Sequence, residues 1–217
     1  MDWGYVLTLL AVLVISLTCH EAAHGFVAML GGDRTAWDQG LVTINPIPHI
    51  RRQPFAMLLL PMLVLYFSGG NFCCGGATAP IDPRWADKHP KRAALMSLAG
   101  PAANLLLAAG GFAAMYWIAR PDPGVSWEGE VFDFASVLLM LNLFLAIFNL
   151  LPLPPFDGAS VVVGLFRPAQ PLYNQYVRIP AWSILSFLIA LWLLPDIFYP
   201  LYKMIADWLP YHPRFRG

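Results

Sequence analysis

Three ionisable side chains, His20, Glu21 and His24, continue the first long apolar run of the chain. On a helix, residues four apart lie one above the other, so both imidazoles can reach one metal ion. The glutamate that follows the first histidine can then approach a water molecule at that metal. A polar patch satisfied by neighbouring helices is the alternative, but ionisable groups inside a membrane are costly and usually functional. The sequence HEAAH therefore predicts a zinc hydrolase site.

Two histidines need a third protein ligand, because a catalytic zinc site leaves its fourth position to water. The candidate is Asp157, which follows a proline-rich break in NLLPLPPFDG, residues 149–158, and precedes Gly158. Such a break unwinds the end of a helix and can present a carboxylate. The alternative is that Asp157 caps the next helix, for which DGAS is suitable. From this motif alone the two interpretations are equally supported.

The composition identifies the environment of these motifs. The 217 residues are 58% hydrophobic and 12% charged, whereas soluble chains carry about 25% charged residues. The sequence predicts an integral membrane protein in a lipid bilayer, with no cleavable signal ahead of the first segment. A net charge of zero and the lack of a basic stripe argue against a nucleic-acid partner. The three cysteines lack the spacing of a disulfide framework or a zinc knuckle.

The predicted fold is an all-α polytopic membrane protein with about five to six membrane helices in a single domain, residues 1–217. Its core, residues 5–165, is followed by C-terminal helices at 179–209. Polar residues with short alternation at 33–50 predict a small β-hairpin at the membrane surface. The predicted helices cover about 5–30, 91–119, 134–151 and 179–194, and a last stretch, 196–209, either lies in the interface or completes a further pass.

The apolar stretch at 53–71 could enter the membrane, but Pro54 and Pro61 shorten its uninterrupted helix and a glycine pair ends it. If it crosses, the basic residues divide between the two sides. If this stretch does not cross, residues 31–92 and 152–178 lie on the same side of the membrane. Together these two ranges contain nine lysines and arginines. The positive-inside rule favours the second arrangement, which puts the N-terminus outside. We therefore expect a re-entrant or interfacial hairpin over 53–75, packed beside the active site.

The same topology bears on the third ligand. Without the extra crossing, His20 and His24 lie in the cytoplasmic half of the first helix, and Asp157 lies at the cytoplasmic end of the helix at 134–151. With the crossing, Asp157 would lie at the far face. The distribution of basic residues and the need to bring the three ligands together thus favour the same topology. In that topology Asp157 is a ligand.

Three motifs in order, HEAAH at 20–24, LAGPAANLLLA at 98–108 and NLLPLPPFDG at 149–158, resemble the site-2 protease family of intramembrane zinc metalloproteases. The resemblance extends to a compact bacterial subgroup through GGDRTAWDQGLVTINPIPHI and the following insert. Many members carry a PDZ or CBS domain, for which this chain has no room. Phenylalanine in FDG stands where leucine or methionine is more frequent.

This resemblance implies the roles of the site residues. His20, His24 and Asp157 would bind one Zn²⁺ per chain, Glu21 would be the general base, and Asn149 would bind the substrate carbonyl or its oxyanion. The segment near 41–45 would form an edge that pairs with an unwound transmembrane protein or peptide substrate. The implied location is the plasma (inner) membrane, multi-pass, with the active site toward the cytoplasm.

Some assignments stay open at this point. A catalytically silent scaffold or chaperone that binds membrane segments is the alternative function, and the substrate, the activating signal and the oligomeric state are not specified by the sequence. His49, His89 and His212 are expected in solvated surface loops. Asn104, inside a predicted helix, is expected to form an interhelical hydrogen bond.

Overall fold

The structure is a computed structural model that describes residues 2–70, 73–118 and 126–209, and the side chains of all of these except 126–129. The described chain is helical. Its α-helices are α1 (Trp3–Gly31), α2 (Thr35–Asp38), α3 (Pro46–Arg52), α4 (Leu60–Phe67), α5 (Pro83–Lys88), α6 (Pro90–Ile118), α7 (Ser126–Leu150), α8 (Asp157–Leu165), α9 (Gln170–Val177) and α10 (Pro180–Ala206). A π-helix at Phe55–Leu59 precedes α4, and a 3₁₀ turn at Arg167–Ala169 precedes α9.

Four of these helices, α1, α6, α7 and α10, are long and apolar enough to cross a membrane, and the count rises to five if α3 and the bent segment after it are taken as one span. The described residues thus hold four or five candidate spans, compared with the five to six membrane helices predicted for the chain. The region 179–209 was expected to hold two segments but forms one helix, α10, with Pro195 and Pro200 inside it. Proline is tolerated in membrane helices because neighbouring groups satisfy the freed backbone.

The β-hairpin predicted at 33–50, with its edge at 41–45, is wrong, because no strand occurs in the described ranges and this region forms two short helices. The side chain of Asp33 accepts hydrogen bonds from the Thr35 amide and hydroxyl at the start of α2. The side chain of Asn45 accepts from the Ile47 amide and caps α3, whose first residue is Pro46. Polar caps and a proline without an N–H favour helix starts over a strand ladder.

The structure brings the two ends of the segment 53–78 together, and we call its described parts, 53–70 and 73–78, the hairpin; that it re-enters the membrane at 53–75 without crossing stays a prediction. The π-helix and α4 turn away from α3 at 109°, and the chain then returns to the level at which it left. There, the Gln53 side-chain amide donates to the carbonyl and hydroxyl of Thr78, and the Thr78 amide donates back to Gln53 Oε1 at 3.1 Å. The helical part is 13 residues long, about 20 Å, which is less than the roughly 30 Å of a bilayer core.

Pro61 accounts for the way in which this hairpin closes. Leu60 donates to the Phe55 carbonyl in the π-helical pattern, and the next donor in that pattern would be Pro61, which has no N–H. The Ala56 carbonyl is thereby free, and it accepts a hydrogen bond of 3.1 Å from the Gly76 amide of the returning chain. The missing donor of one proline thus supplies the acceptor that holds the two arms together.

The C-terminus of α1 is a junction between the surface segments and α6. The helix ends at Gly32, which has a φ of +104° and is preceded by Gly31, as the glycine pair predicted. The Gly31 carbonyl accepts from the Trp85 indole and from Arg92, each at 3.0 Å. Burial alone would raise the pKa of the adjacent Asp33, but hydrogen bonds from Thr35 and the Asp82 amide lower that pKa below its ordinary value. The carboxylate is thus held in its charged, accepting form.

Helix α6 lies between the elements that carry the predicted site, since it packs against α1, α7 and α8. Glycine allows its closest approach to α7. A Cβ atom at Gly111 would lie 2.7 Å from both the Ala135 carbonyl oxygen and the Leu139 amide nitrogen, which are backbone atoms that cannot rotate away. A Cβ atom at the neighbouring Gly110 would meet nothing within 4 Å. Small residues of this kind let membrane helices pack backbone to backbone.

We expect Gly111→Ala to destabilise the protein by about 1–3 kcal/mol through overpacking. Gly110→Ala is the matched control, with a gain of up to about 1 kcal/mol from helix propensity. Thermal unfolding of both variants in detergent, followed by intrinsic fluorescence, measures the difference. Equal midpoints for the two variants would contradict the close α6–α7 packing.

Candidate metal centre

The structure brings the three predicted ligands together. His20 and His24 lie one turn apart on α1, and their Nε2 atoms are 3.0 Å from each other. Asp157 Oδ2, from the first residue of α8, is 3.1 Å from His20 Nε2 and 3.3 Å from His24 Nε2. All three side chains are buried or largely buried.

These separations have the size of a tetrahedral metal site. Zinc bonds of about 2.0–2.1 Å to nitrogen and oxygen, at tetrahedral angles, place neighbouring ligand atoms about 3.3 Å apart. The observed triangle, with edges of 3.0 to 3.3 Å, is close to that dimension. Two imidazoles and one carboxylate are also the ligand set of catalytic zinc sites that leave a position for water.

The opposite ring nitrogens fix the tautomers of the two histidines. His20 Nδ1 lies 2.6 Å from Asn104 Oδ1, and His24 Nδ1 lies 2.7 Å from the Met96 carbonyl oxygen. Both neighbours accept hydrogen bonds, so each Nδ1 carries the proton and each neutral ring presents a lone pair at Nε2. The two lone pairs meet each other and Asp157 Oδ2, a buried atom without a hydrogen-bond partner within the described ranges. A cation among these three atoms relieves their repulsion, so the residues present fit a bound metal.

Asp157 acts as a ligand candidate, not as a helix cap. Phe156 occupies the N-cap position of α8, and no side chain caps that end. The carboxylate oxygen Oδ2 of Asp157 instead faces the Nε2 atoms of His20 and His24. Gly158 lets the chain turn here, since a Cβ atom at that position would overlap the carbonyls of Leu150 and Leu151.

Helix α6 supports both histidines from one side. Asn104, which is fully buried, accepts from His20 and donates to Asn142 Oδ1 at 2.8 Å, and Asn142 donates to the Leu138 carbonyl at 2.9 Å. The predicted interhelical hydrogen bond of Asn104 is confirmed, and its partners are now identified. The sequence analysis missed Asn142, although a lone asparagine in the apolar run of α7 was a usable signal.

Gly100 makes room for the two rings. A Cβ atom at this position would overlap the imidazoles of both His20 and His24. Pro101, the next residue, cannot donate to the Ser97 carbonyl, so the backbone ladder of α6 is interrupted at the level where the Met96 carbonyl faces His24. The segment 96–104, MSLAGPAAN, therefore provides a backbone acceptor, a space and a side-chain acceptor on successive turns.

Glu21 lies on α1 beside the ligands and is 6% exposed, and its Oε2 atom has no hydrogen-bond partner among the residues that the structure describes. It lines a small cavity together with His49 and the base of the hairpin. The hairpin thus packs beside the site, as expected.

Two other sequence predictions have different outcomes. His49 was expected to be solvated, but it is 4% exposed, lies in α3, and its Nε2 donates to the Thr43 carbonyl at 3.0 Å. Asn149, at the end of α7, is half-buried and donates to the Leu145 carbonyl of its own helix, so its role at the substrate stays a prediction. His89 is half-buried at the end of α5, and His212 lies outside the described residues.

Comparison with known proteins places these features in a family context. The model of peptidase family M50 matches residues 8–121 and 117–191. YwhC of Bacillus subtilis is 34% identical over 199 residues, 91% of this chain and 85% of that protein. Rip2 of Mycolicibacterium smegmatis is 31% identical over 87% of this chain and 68% of that protein, and MJ0611 of Methanocaldococcus jannaschii is 30% identical over 85% and 74%. Each of the three is named a "putative zinc metalloprotease". No match was found among solved structures.

We expect Asn104→Leu to weaken zinc binding by about 10- to 100-fold, because His20 loses the acceptor that fixes its tautomer. Asn174→Leu, at an exposed position of α9, is the matched control and should bind zinc as the wild type does. Competition with a chromophoric chelator measures both affinities in detergent. Unchanged affinity in a folded Asn104→Leu protein would show that the contact does not support the site.

Proposed function

Because the chain belongs to peptidase family M50, we propose that it is an intramembrane zinc metalloprotease that hydrolyses peptide bonds in or near transmembrane segments of membrane proteins. The observation that carries this proposal is the convergence of His20, His24 and Asp157 on one point. Glu21 lies beside them on α1, a helix apolar enough to span a membrane. Ionisable groups at such a position favour a reaction within the membrane over one at its surface.

His20 and His24 through Nε2, and Asp157 through a carboxylate oxygen, would hold one Zn²⁺ per chain. When bound, zinc is a Lewis acid that lowers the pKa of water and polarises a carbonyl. The protein supplies the orientation of the ligands through Asn104 and the Met96 carbonyl, which keep both Nε2 lone pairs directed at the ion.

Glu21 is the proposed general base. Its buried carboxylate follows directly on His20, and the oxygen without a partner is available to accept the proton of the attacking water. The same carboxyl then delivers the proton to the nitrogen of the leaving amine. Asn149 is the proposed donor to the developing oxyanion, which requires that its amide leave the Leu145 carbonyl when substrate binds.

The proposed substrates are transmembrane proteins or peptides whose helix unwinds near the site. A helical substrate hides its backbone carbonyls in hydrogen bonds, so these bonds must open before attack. The segment 41–45 is not a strand, so pairing of the substrate with a preformed edge there is no part of the proposal.

We further propose a location in the plasma (inner) membrane, with the N-terminus outside and the site toward the cytoplasm. The hairpin supports this orientation, because its two arms meet at Gln53 and Thr78 and leave the surrounding basic residues on one side. The side with more lysine and arginine faces the cytoplasm by the positive-inside rule.

We expect Glu21→Gln to lower cleavage of tagged single-pass substrates by about 100- to 10,000-fold, because the general base is lost. Zinc content, measured by mass spectrometry, should stay at one per chain, and a chelator should abolish cleavage by the wild type. Wild-type protein that binds zinc but cuts no substrate in a broad panel would favour the silent scaffold, and a chain without zinc would refute the metal site.

We expect Asn149→Ala to lower kcat by about 100- to 1,000-fold with zinc content unchanged, because one donor to the oxyanion is removed. Asn174→Ala, at an exposed position of α9, is the comparison variant and should keep kcat near the wild-type value. A normal kcat in Asn149→Ala would remove this residue from the mechanism.

A further inference from the structure

The small cavity beside Glu21 is lined partly by polar side chains. Its volume is about 10 Å³, close to the smallest space that holds one water molecule. Glu21 and His49 line it, and Arg52 adds guanidinium donors. A buried water needs two to four polar partners, and these three side chains can provide them.

Glu21 and His49 each carry an atom with unused hydrogen-bonding capacity. Glu21 Oε2 is buried and has no partner among the described residues. His49 donates through Nε2 to the Thr43 carbonyl, so its neutral ring has a lone pair at Nδ1. One water molecule in the cavity can donate one hydrogen to each of these acceptors.

His49 is held firmly on its own side. Its ring closes the loop 43–49 through Thr43, and Asn45 caps the short helix that carries it. This region is pressed against α1 one turn after Glu21, because a Cβ atom at Gly25 would lie 2.9 Å from Ala36 Cβ and 3.1 Å from Val42 Cγ2. The surface segment that carries His49 is therefore closely packed on α1.

We propose that His49 is a positioning residue for Glu21 and that it acts through one water molecule bound between them. This inference rests on the proposed function and adds a residue from the surface helix α3 to it. A glutamate has three rotatable bonds, and an unpartnered carboxylate would sample several rotamers. The water contact restrains the carboxylate in the orientation needed for proton transfer.

The kinetic test compares His49→Phe with His89→Phe, a substitution of the same kind at a half-buried histidine on α5. We expect kcat to fall about 10- to 100-fold in His49→Phe, with KM and zinc content unchanged, and no change in His89→Phe. Loss of zinc or of folded protein together with kcat would overturn the proposal, because His49 would then be a structural residue. An unchanged kcat would overturn it as well.

Two conservative variants distinguish the two contacts of His49, the water bound at Nδ1 and the hydrogen bond from Nε2 to the Thr43 carbonyl. His49→Asn keeps a polar group near the position of Nδ1, whereas His49→Gln keeps a donor near the position of Nε2. We expect the asparagine variant to retain more kcat than the glutamine variant. The reverse order would overturn the proposal, since the bond to Thr43 would then account for the effect.

A measurement that needs no substrate distinguishes this inference from the proposed function. The infrared carboxylate band of Glu21, identified by its loss in Glu21→Gln, should shift in zinc-loaded His49→Phe and stay in place in His89→Phe. No shift in His49→Phe overturns the proposal. A further outcome is that the band shifts in His49→Phe although the wild-type protein cuts no substrate. That result would support the coupling of His49 to Glu21 and would refute only the protease function.

Discussion

Two imidazole lone pairs and one carboxylate oxygen converge within 3.3 Å of one another, between a helix long and apolar enough to cross a membrane and the start of α8. Such an arrangement is unfavourable in a medium of low dielectric constant unless a cation occupies its centre. The need to hold these three atoms together explains why several residues of α6 contact the two histidines. Gly100 leaves space for the rings, while Asn104 and the Met96 carbonyl hold the two Nδ1 protons on the far side. The buried amide of Asn142 extends this support to α7.

The candidate site could be predicted from sequence to the extent that its chemistry is local. HEAAH places His20 and His24 on one helix face by spacing alone, and the proline-rich break marks the position of Asp157. The supporting contacts could not be predicted in the same way, because they depend on the rotation and register of α6 and α7 against α1. Met96 contributes only its backbone carbonyl, and no residue type signals such a role.

The surface segments show where periodicity fails as a guide. The short alternation at 33–50 resembled strands, but the hydrogen bond from the Thr35 amide to Asp33 and the side-chain cap at Asn45 favour helix starts. His49 was taken for a solvated loop residue because its partner is a backbone carbonyl six residues away, a contact that needs the helical turn to exist. The close approach of Gln53 and Thr78 agrees with the hairpin expected from the proline positions and the charge balance, two criteria that do not depend on tertiary contacts.

The support of His20 by Asn104 has a consequence for the order of events during synthesis. Asn104 follows His20 by 84 residues, so α1 emerges from the ribosome with its two histidines and its glutamate long before any partner on α6 exists. Until α6 arrives, these polar groups face lipid, water or the insertion machinery, at a cost of about 2.5–3.5 kcal/mol for each charged group at a helix centre. The apolar half of α1 that precedes them, from Val6 to Leu17, must therefore supply the stability of the inserted intermediate. In this chain the candidate ligands on α1 are thus made long before the asparagine that supports one of them.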